Sequence, residues 1–220
     1  MSHSQKTRPS NNLHCFKGAG IPYWRAKASG LRPSNETRAT PQGHVFDFAR
    51  DFDGLAINVG GIAHPRVADI GGQILIRFFS TGQSVEAGRC GAWWLDFDAL
   101  DVLNKWALQS GNSLSKAAQL LLVVPLEWGD CGQMIVAQVD SPMRAWVGTG
   151  KEVGFFHGKS TSPDAARRVG TSIYAPPPGT NIRQIFIPGE RSLLESCIRK
   201  ISSHKIGRDG RLQPSLARPY

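Results

Sequence analysis

Three short segments carry side chains suited to one kind of chemistry. They are Tyr23-Trp24-Arg25, Phe78-Phe79-Ser80-Thr81-Gly82 and Arg183-Gln184-Ile185-Phe186-Ile187-Pro188-Gly189. The guanidinium of Arg25 offers a planar fork of donors that matches a pyrophosphate. Ser80 and Thr81 offer short hydroxyls that can fix a carboxamide, and Gln184 an amide that can bridge to a ribose hydroxyl. Trp93-Trp94 adds aromatic faces, and the Trp94 ring is a candidate platform for a base or nicotinamide ring. An arginine, a Ser-Thr step and an amide, in that order, suggest a pocket for a phosphorylated dinucleotide.

Other polar clusters read as structure. Gly148-Thr149-Gly150-Lys151 has the look of a phosphate loop. That motif needs glycine where Ala145 stands and Ser or Thr where Glu152 stands, so the segment is expected to be a tight hairpin turn. His44, Asp47, Asp51 and Asp53 lie close together without the oxygen-rich loop that holds calcium, and read as a solvated turn. His64 and His157 have no nucleophile beside them. Cys15, Cys90, Cys131 and Cys197 are far apart, with no C-x-x-C and no paired histidine spacing, so no metal site is expected and the thiols are expected free.

The elements that must position these groups follow from periodicity and turn chemistry. Ile21 to Ala26 reads as a first strand carrying Arg25, residues 27–43 as a loop, and His44 to Phe48 as a half-buried strand. Gly60-Gly61 and Gly71-Gly72 bracket a turn at His64-Pro65. Ile74 to Phe79 is β-branched and aromatic, and predicts a strand delivering Ser80. A helix opens at Asp96-Phe97-Asp98, with Asp98 as its cap, and stops at Gly111. Ser113 caps a second, from Leu114 to about Val123. Met134 to Val139 is a buried strand. Arg144 to Val147 and Val153 to Phe156 form the hairpin around Gly-Thr-Gly. Residues 158–181 are a polar, proline-bearing loop, Arg183 to Ile187 the last strand, and Arg191 to about Ser202 the last helix. This order predicts a single α+β domain, with a mixed, mostly antiparallel sheet and three or so helices.

The chain has 220 residues, 40% apolar and 20% charged, ordinary for one globular domain. Its net charge of +9 is concentrated at the ends. Residues 1–40 hold seven Lys/Arg against one Glu, and residues 199–220 six against one Asp. A mobile basic arm over 1–20, a domain over 21–202 and a basic tail over 203–220 are expected. Such ends suit non-specific contact with nucleic acid or an acidic surface. No apolar run approaches the roughly 20 residues of a membrane span. The first residues lack the apolar core of a secretory signal, so a cytoplasmic location is expected.

The order Tyr-x-Arg, Ser-Thr after a strand, and then a strand ending in proline resembles the ADP-ribosyltransferase fold of bacterial toxins and effectors. The resemblance rests on about a dozen residues. It implies that Arg25 binds the phosphates of NAD, that Ser80 and Thr81 support the nicotinamide pocket, and that Ile185-Phe186-Ile187-Pro188 is the apolar step and proline. Gln184 then stands on the catalytic glutamate, Ile182 on the acid upstream of it and Gly82 on a second serine. The resemblance thus implies NAD as substrate, Gln184 and Arg25 as the catalytic pair, and a macromolecule as target. The neutral Gln184 keeps a second class open: a non-enzymatic inhibitor or accessory protein of a mobile element, docking on a protein or nucleic acid.

Overall fold

The computed structural model describes residues 11–30, 39–40, 43–44, 60–124, 129–156, 171–207 and 212–214. In chain order the helices are α1 (Gly20–Ala28), α2 (Val85–Arg89), α3 (Phe97–Ser110), α4 (Leu114–Leu121) and α5 (Arg191–Cys197). The strands are β1 (Ala39–Thr40), β2 (Gly43–His44), β3 (Ile62–Asp69), β4 (Ile74–Phe79), β5 (Trp93–Trp94), β6 (Gln133–Val139), β7 (Arg144–Gly150), β8 (Val153–Phe156), β9 (Thr171–Tyr174), β10 (Arg183–Phe186), β11 (Ile198–Ile206) and β12 (Leu212–Pro214). All pairings are antiparallel, so the chain is an α+β protein, as its element order predicts.

Two four-stranded sheets carry the fold, one ordered β3-β7-β10-β5 and the other β12-β11-β6-β4. An antiparallel bridge between Ile76 and Leu95 joins them. Side chains from both sheets fill one core: Leu75, Phe79, Ile135 and Ala137 from the second, Trp94, Ala145 and Ile185 from the first. Ile76 and Met134 point to the other side of the second sheet, against Leu103 of α3 and Leu114 and Leu121 of α4. Trp146, Phe186 and Ile62 point to the outer side of the first sheet, against Ala28 and Trp24 of α1. The layers therefore run helix, sheet, sheet, helix. β4 is apolar on both faces because it has core on both sides, except at Arg77.

Several sequence expectations are corrected. The segment Ile21 to Ala26 is helical, within α1. Pro22 falls in the first turn, where its missing N–H costs nothing. The cap of α3 is Asp96, which accepts from the amide of Ala99 at 2.9 Å. Gly148 and Gly150 lie inside β7, not in a turn, and β8 pairs with β9 instead of β7. A Cβ on Gly148 would collide with Ile62 and the Ala63 carbonyl, so glycine here permits close strand approach. His64-Pro65 is a bulge within the edge strand β3, with His64 at φ 48°, the position where a sheet tolerates proline. The last helix ends at Cys197, and Ile198 to Ile206 is a strand paired along β6.

The folded body also begins before residue 20. Asn12 is wholly buried; its Nδ2 donates to the carbonyls of Arg144 (2.7 Å) and Pro188 (2.9 Å), and its Oδ1 accepts from the Arg144 amide (2.9 Å). One side chain satisfies three backbone groups, which ties residues expected in a mobile arm to the first sheet. At the other end β11 continues to Ile206, past the expected domain limit. Residues 45–48 of the second expected strand and His157 lie outside the described residues. No helix among the described residues is long and apolar enough to cross a membrane.

Candidate functional site

A cavity of about 630 Å³ lies at the seam of the two sheets, where β4 meets β5 and β10. That is a size suited to a small-molecule ligand. Its most unusual wall residue is Arg77. Alternation along β4 places Arg77 on the face of Leu75 and Phe79, which fill the core between the sheets. The guanidinium lies against the backbone of Gly91, and a Cβ there would overlap it. Nη1 donates to the Trp93 carbonyl at 3.3 Å, while Nε is shut off from solvent and has no partner among the described residues. Burial pushes the guanidinium down to about 10, and the nearby Cys131 and Cys90 sulfurs oppose the shift. It remains a cation at neutral pH.

Two lysines join it. Lys151 donates from Nζ to the Ser29 carbonyl at 2.7 Å, and burial lowers its pKa. Lys27 lies 4.7 Å from the ring centroids of both Tyr23 and Trp24, on the last turn of α1. Lys27, Arg77 and Lys151 all line the cavity, and no Asp or Glu is among its described lining residues. Three cations with no carboxylate among the described lining residues favour an anion over a cation here. Trp93 and Phe186 add an aromatic wall, their centroids 5.0 Å apart and their planes at 61°.

Of the residues singled out in the sequence, Ser80, Trp94 and Gln184 line this cavity together. Ser80 follows β4, and its Oγ sits where a Cβ on Gly129 would be. Its loop is held by Gln133, whose Nε2 reaches the carbonyls of Ser80, Thr81 and Gln83 at 2.9, 2.9 and 3.0 Å. Gln184 is buried on β10 and donates from Nε2 to the Leu122 carbonyl at 3.3 Å. A Cβ on Gly150 would strike that amide, so glycine on β7 makes room for Gln184. Trp94 is only 1% exposed and its Nε1 donates to the Gly91 carbonyl at 2.7 Å, so the partly exposed ring of the pair is Trp93.

Arg25 and Thr81 are exposed and are not among the lining residues. On a strand, Arg25 and Lys27 would share a face. On helix α1 they stand about 200° apart, so Lys27 reaches the cavity and Arg25 does not. Thr81 contributes its amide, which donates to Asp130 Oδ1 at 2.9 Å.

Two wall residues hold strained backbone. Val123 has φ 56° and Cys131 φ 51°, in the left-handed region that β-branched residues avoid. Both are buried. Burial pushes the Cys131 thiol up to about 12, Asp130 adds to that, and Arg77 opposes it. The thiol is therefore neutral and not a nucleophile at neutral pH. Such strain persists where the surroundings over-determine it, and it gathers at ligand sites.

Sequence reading missed Arg77, Lys27 and Lys151. For Arg77 the signal was present: a single cation inside Ile74-Leu75-Ile76-Arg77-Phe78-Phe79, a strand apolar on both sides. Among the described residues no group of three His, Cys, Asp or Glu side chains stands ready to hold a metal ion. No protein-family model, no curated protein and no solved structure matches the chain.

Proposed function

We propose that the protein binds a phosphorylated nucleotide of the NAD class in the seam cavity, without transferring its ADP-ribosyl group. The observation that carries this reading is the convergence of Lys27, Arg77 and Lys151 with Ser80 and Gln184 on one cavity whose described lining residues include no Asp or Glu. Arg77 replaces Arg25 as the phosphate-facing guanidinium. Ser80 and Gln184 offer a hydroxyl and an amide to ribose or carboxamide groups, and Trp93 offers a ring face.

Electrostatics argue for binding over transfer. Cleaving the nicotinamide bond develops positive charge on the ribose, which a carboxylate stabilises. The described lining residues supply cations and a neutral amide, which would raise that barrier. Calorimetric titration with NAD, ADP-ribose and AMP, run beside an assay for released nicotinamide, tests the reading. Saturable binding with no nicotinamide release is expected. Turnover of NAD at a measurable rate would restore the transferase reading, and absence of binding by every nucleotide at millimolar concentration would remove both.

A further inference from the structure

The charges around the cavity distinguish between nucleotides that are otherwise alike. Lys27, Arg77 and Lys151 face it with no carboxylate among the described lining residues. Arg77 is the most enclosed of the three by charge: it is half-buried, and its one acceptor among the described residues is the neutral Trp93 carbonyl. A half-buried cation with no counter-charge among the described residues raises the free energy of the empty site, and a ligand anion lowers it on binding. Any positive group on the ligand has the opposite effect.

Resting on the nucleotide reading above, we infer that the preferred ligand is a pyrophosphate-bearing nucleotide with no positively charged ring: ADP-ribose, a nucleoside diphosphate or NADH in place of NAD⁺. The oxidised nicotinamide ring carries a positive charge that the reduced ring lacks, and the two dinucleotides are otherwise nearly the same shape. Packing against Trp93 and Phe186 discriminates weakly between them, whereas the three cations discriminate strongly. The site is then built for the products or reduced forms of NAD chemistry, not for NAD⁺ as a substrate.

The test compares the affinities of NADH, NAD⁺, ADP-ribose and ADP for the full chain at low and physiological salt. NADH and ADP-ribose are expected to bind roughly tenfold or more tighter than NAD⁺, tenfold being the size of one unit charge about 12 Å from a cation at an effective dielectric near 20. The preference should persist at the higher salt, because buried charges are poorly screened. Arg77→Gln should weaken all four ligands and shrink the ratio between NADH and NAD⁺. If Arg77→Gln does not fold, Lys151→Gln serves, with a smaller contraction of the same ratio. Equal or tighter binding of NAD⁺ overturns the charge inference and leaves nucleotide binding intact. Failure of all four ligands to bind overturns both.

Discussion

At the scale of single residues, Arg77 is the charged group set deepest in the cavity wall, on β4. A guanidinium used only for stability is ordinarily paired with a carboxylate or has its donors satisfied. Arg89 shows the contrast in the same chain: it meets Glu86 at 2.9 Å and donates to the carbonyls of Glu195 and Ile198 at the end of α5. Among the described residues Arg77 has one long bond to a carbonyl and no partner for its Nε. This asymmetry predicts opposite effects on stability and binding. Arg77→Met keeps the length of the side chain and removes the charge. The ligand-free variant should be more stable than the parent by about 1–3 kcal/mol, the range for removing an unsatisfied buried polar group. Its affinity for nucleotide should fall at least tenfold. Urea midpoints without ligand, and titrations with it, measure the two effects. A ligand-free variant clearly less stable than the parent would mean that Arg77 is a structural residue.

At the scale of elements, the rim of the cavity is two loops clamped together. The loop after β4 carries Ser80, and the loop before β6 carries Asp130, Cys131 and Gly132. Asp130 Oδ1 accepts from the amides of Thr81 at 2.9 Å and Gly132 at 3.0 Å, joining them. Partial burial pushes the Asp130 carboxyl up, but the Thr81 and Gly132 amides outweigh that and hold it below its ordinary value. A carboxyl depressed in the folded state contributes stability that is present above its ordinary value and lost as pH falls through the folded one. The clamp should therefore hold above about pH 4 and weaken below it. Asp130→Asn keeps the shape and removes the titration. Melting temperatures of parent and variant should differ at about pH 6 and converge as pH drops below about 4. A difference that stays constant across that range would show that the carboxylate charge plays no part.

The same scale shows how far sequence reached. β4, α3 and α4 were legible because their signals are local: a β-branched aromatic run, Gly111 at φ 67° ending α3, and Ser113 accepting from the Lys116 amide at 3.1 Å. Elements decided by distant partners were not. Ile198 and Ile201 share a helical spacing, yet β6 offers strand partners to every residue from Ile198 to Lys205 except Ile201, where the register shifts at a bulge. Gly148 and Gly150 look like a turn until Ile62 and Gln184 are seen beside them. The site divides in the same way. Ser80 and Gln184 come from strands read correctly, and both reach the cavity. Arg25 was placed on a strand that is a helix, and the cations that line the cavity are instead Lys27, Arg77 and Lys151.

At the scale of the whole molecule, the cavity occupies the backbone joint between two sheets that also share one core. The joint is thin. Ile76 and Leu95 exchange two backbone hydrogen bonds, 2.9 and 2.8 Å, and nothing longer pairs the sheets across that line. Near it, the Lys151 amide donates to the Gly61 carbonyl at 2.9 Å, which brings Lys151 to the rim. A ligand spanning Arg77 on the second sheet and Lys151 on the first fastens the two together. Opening the seam would then require its release, and at a hundredfold excess over Kd this adds about 2.7 kcal/mol to the opening. Hydrogen exchange with and without saturating ADP-ribose should read this directly. The amides of Ile76, Leu95 and Lys151 should slow by up to about 100-fold. The β11–β12 edge, on the far side of the second sheet, should exchange as before. Protection confined to that edge, with the seam unchanged, would place the ligand elsewhere and separate the cavity from whatever the protein binds.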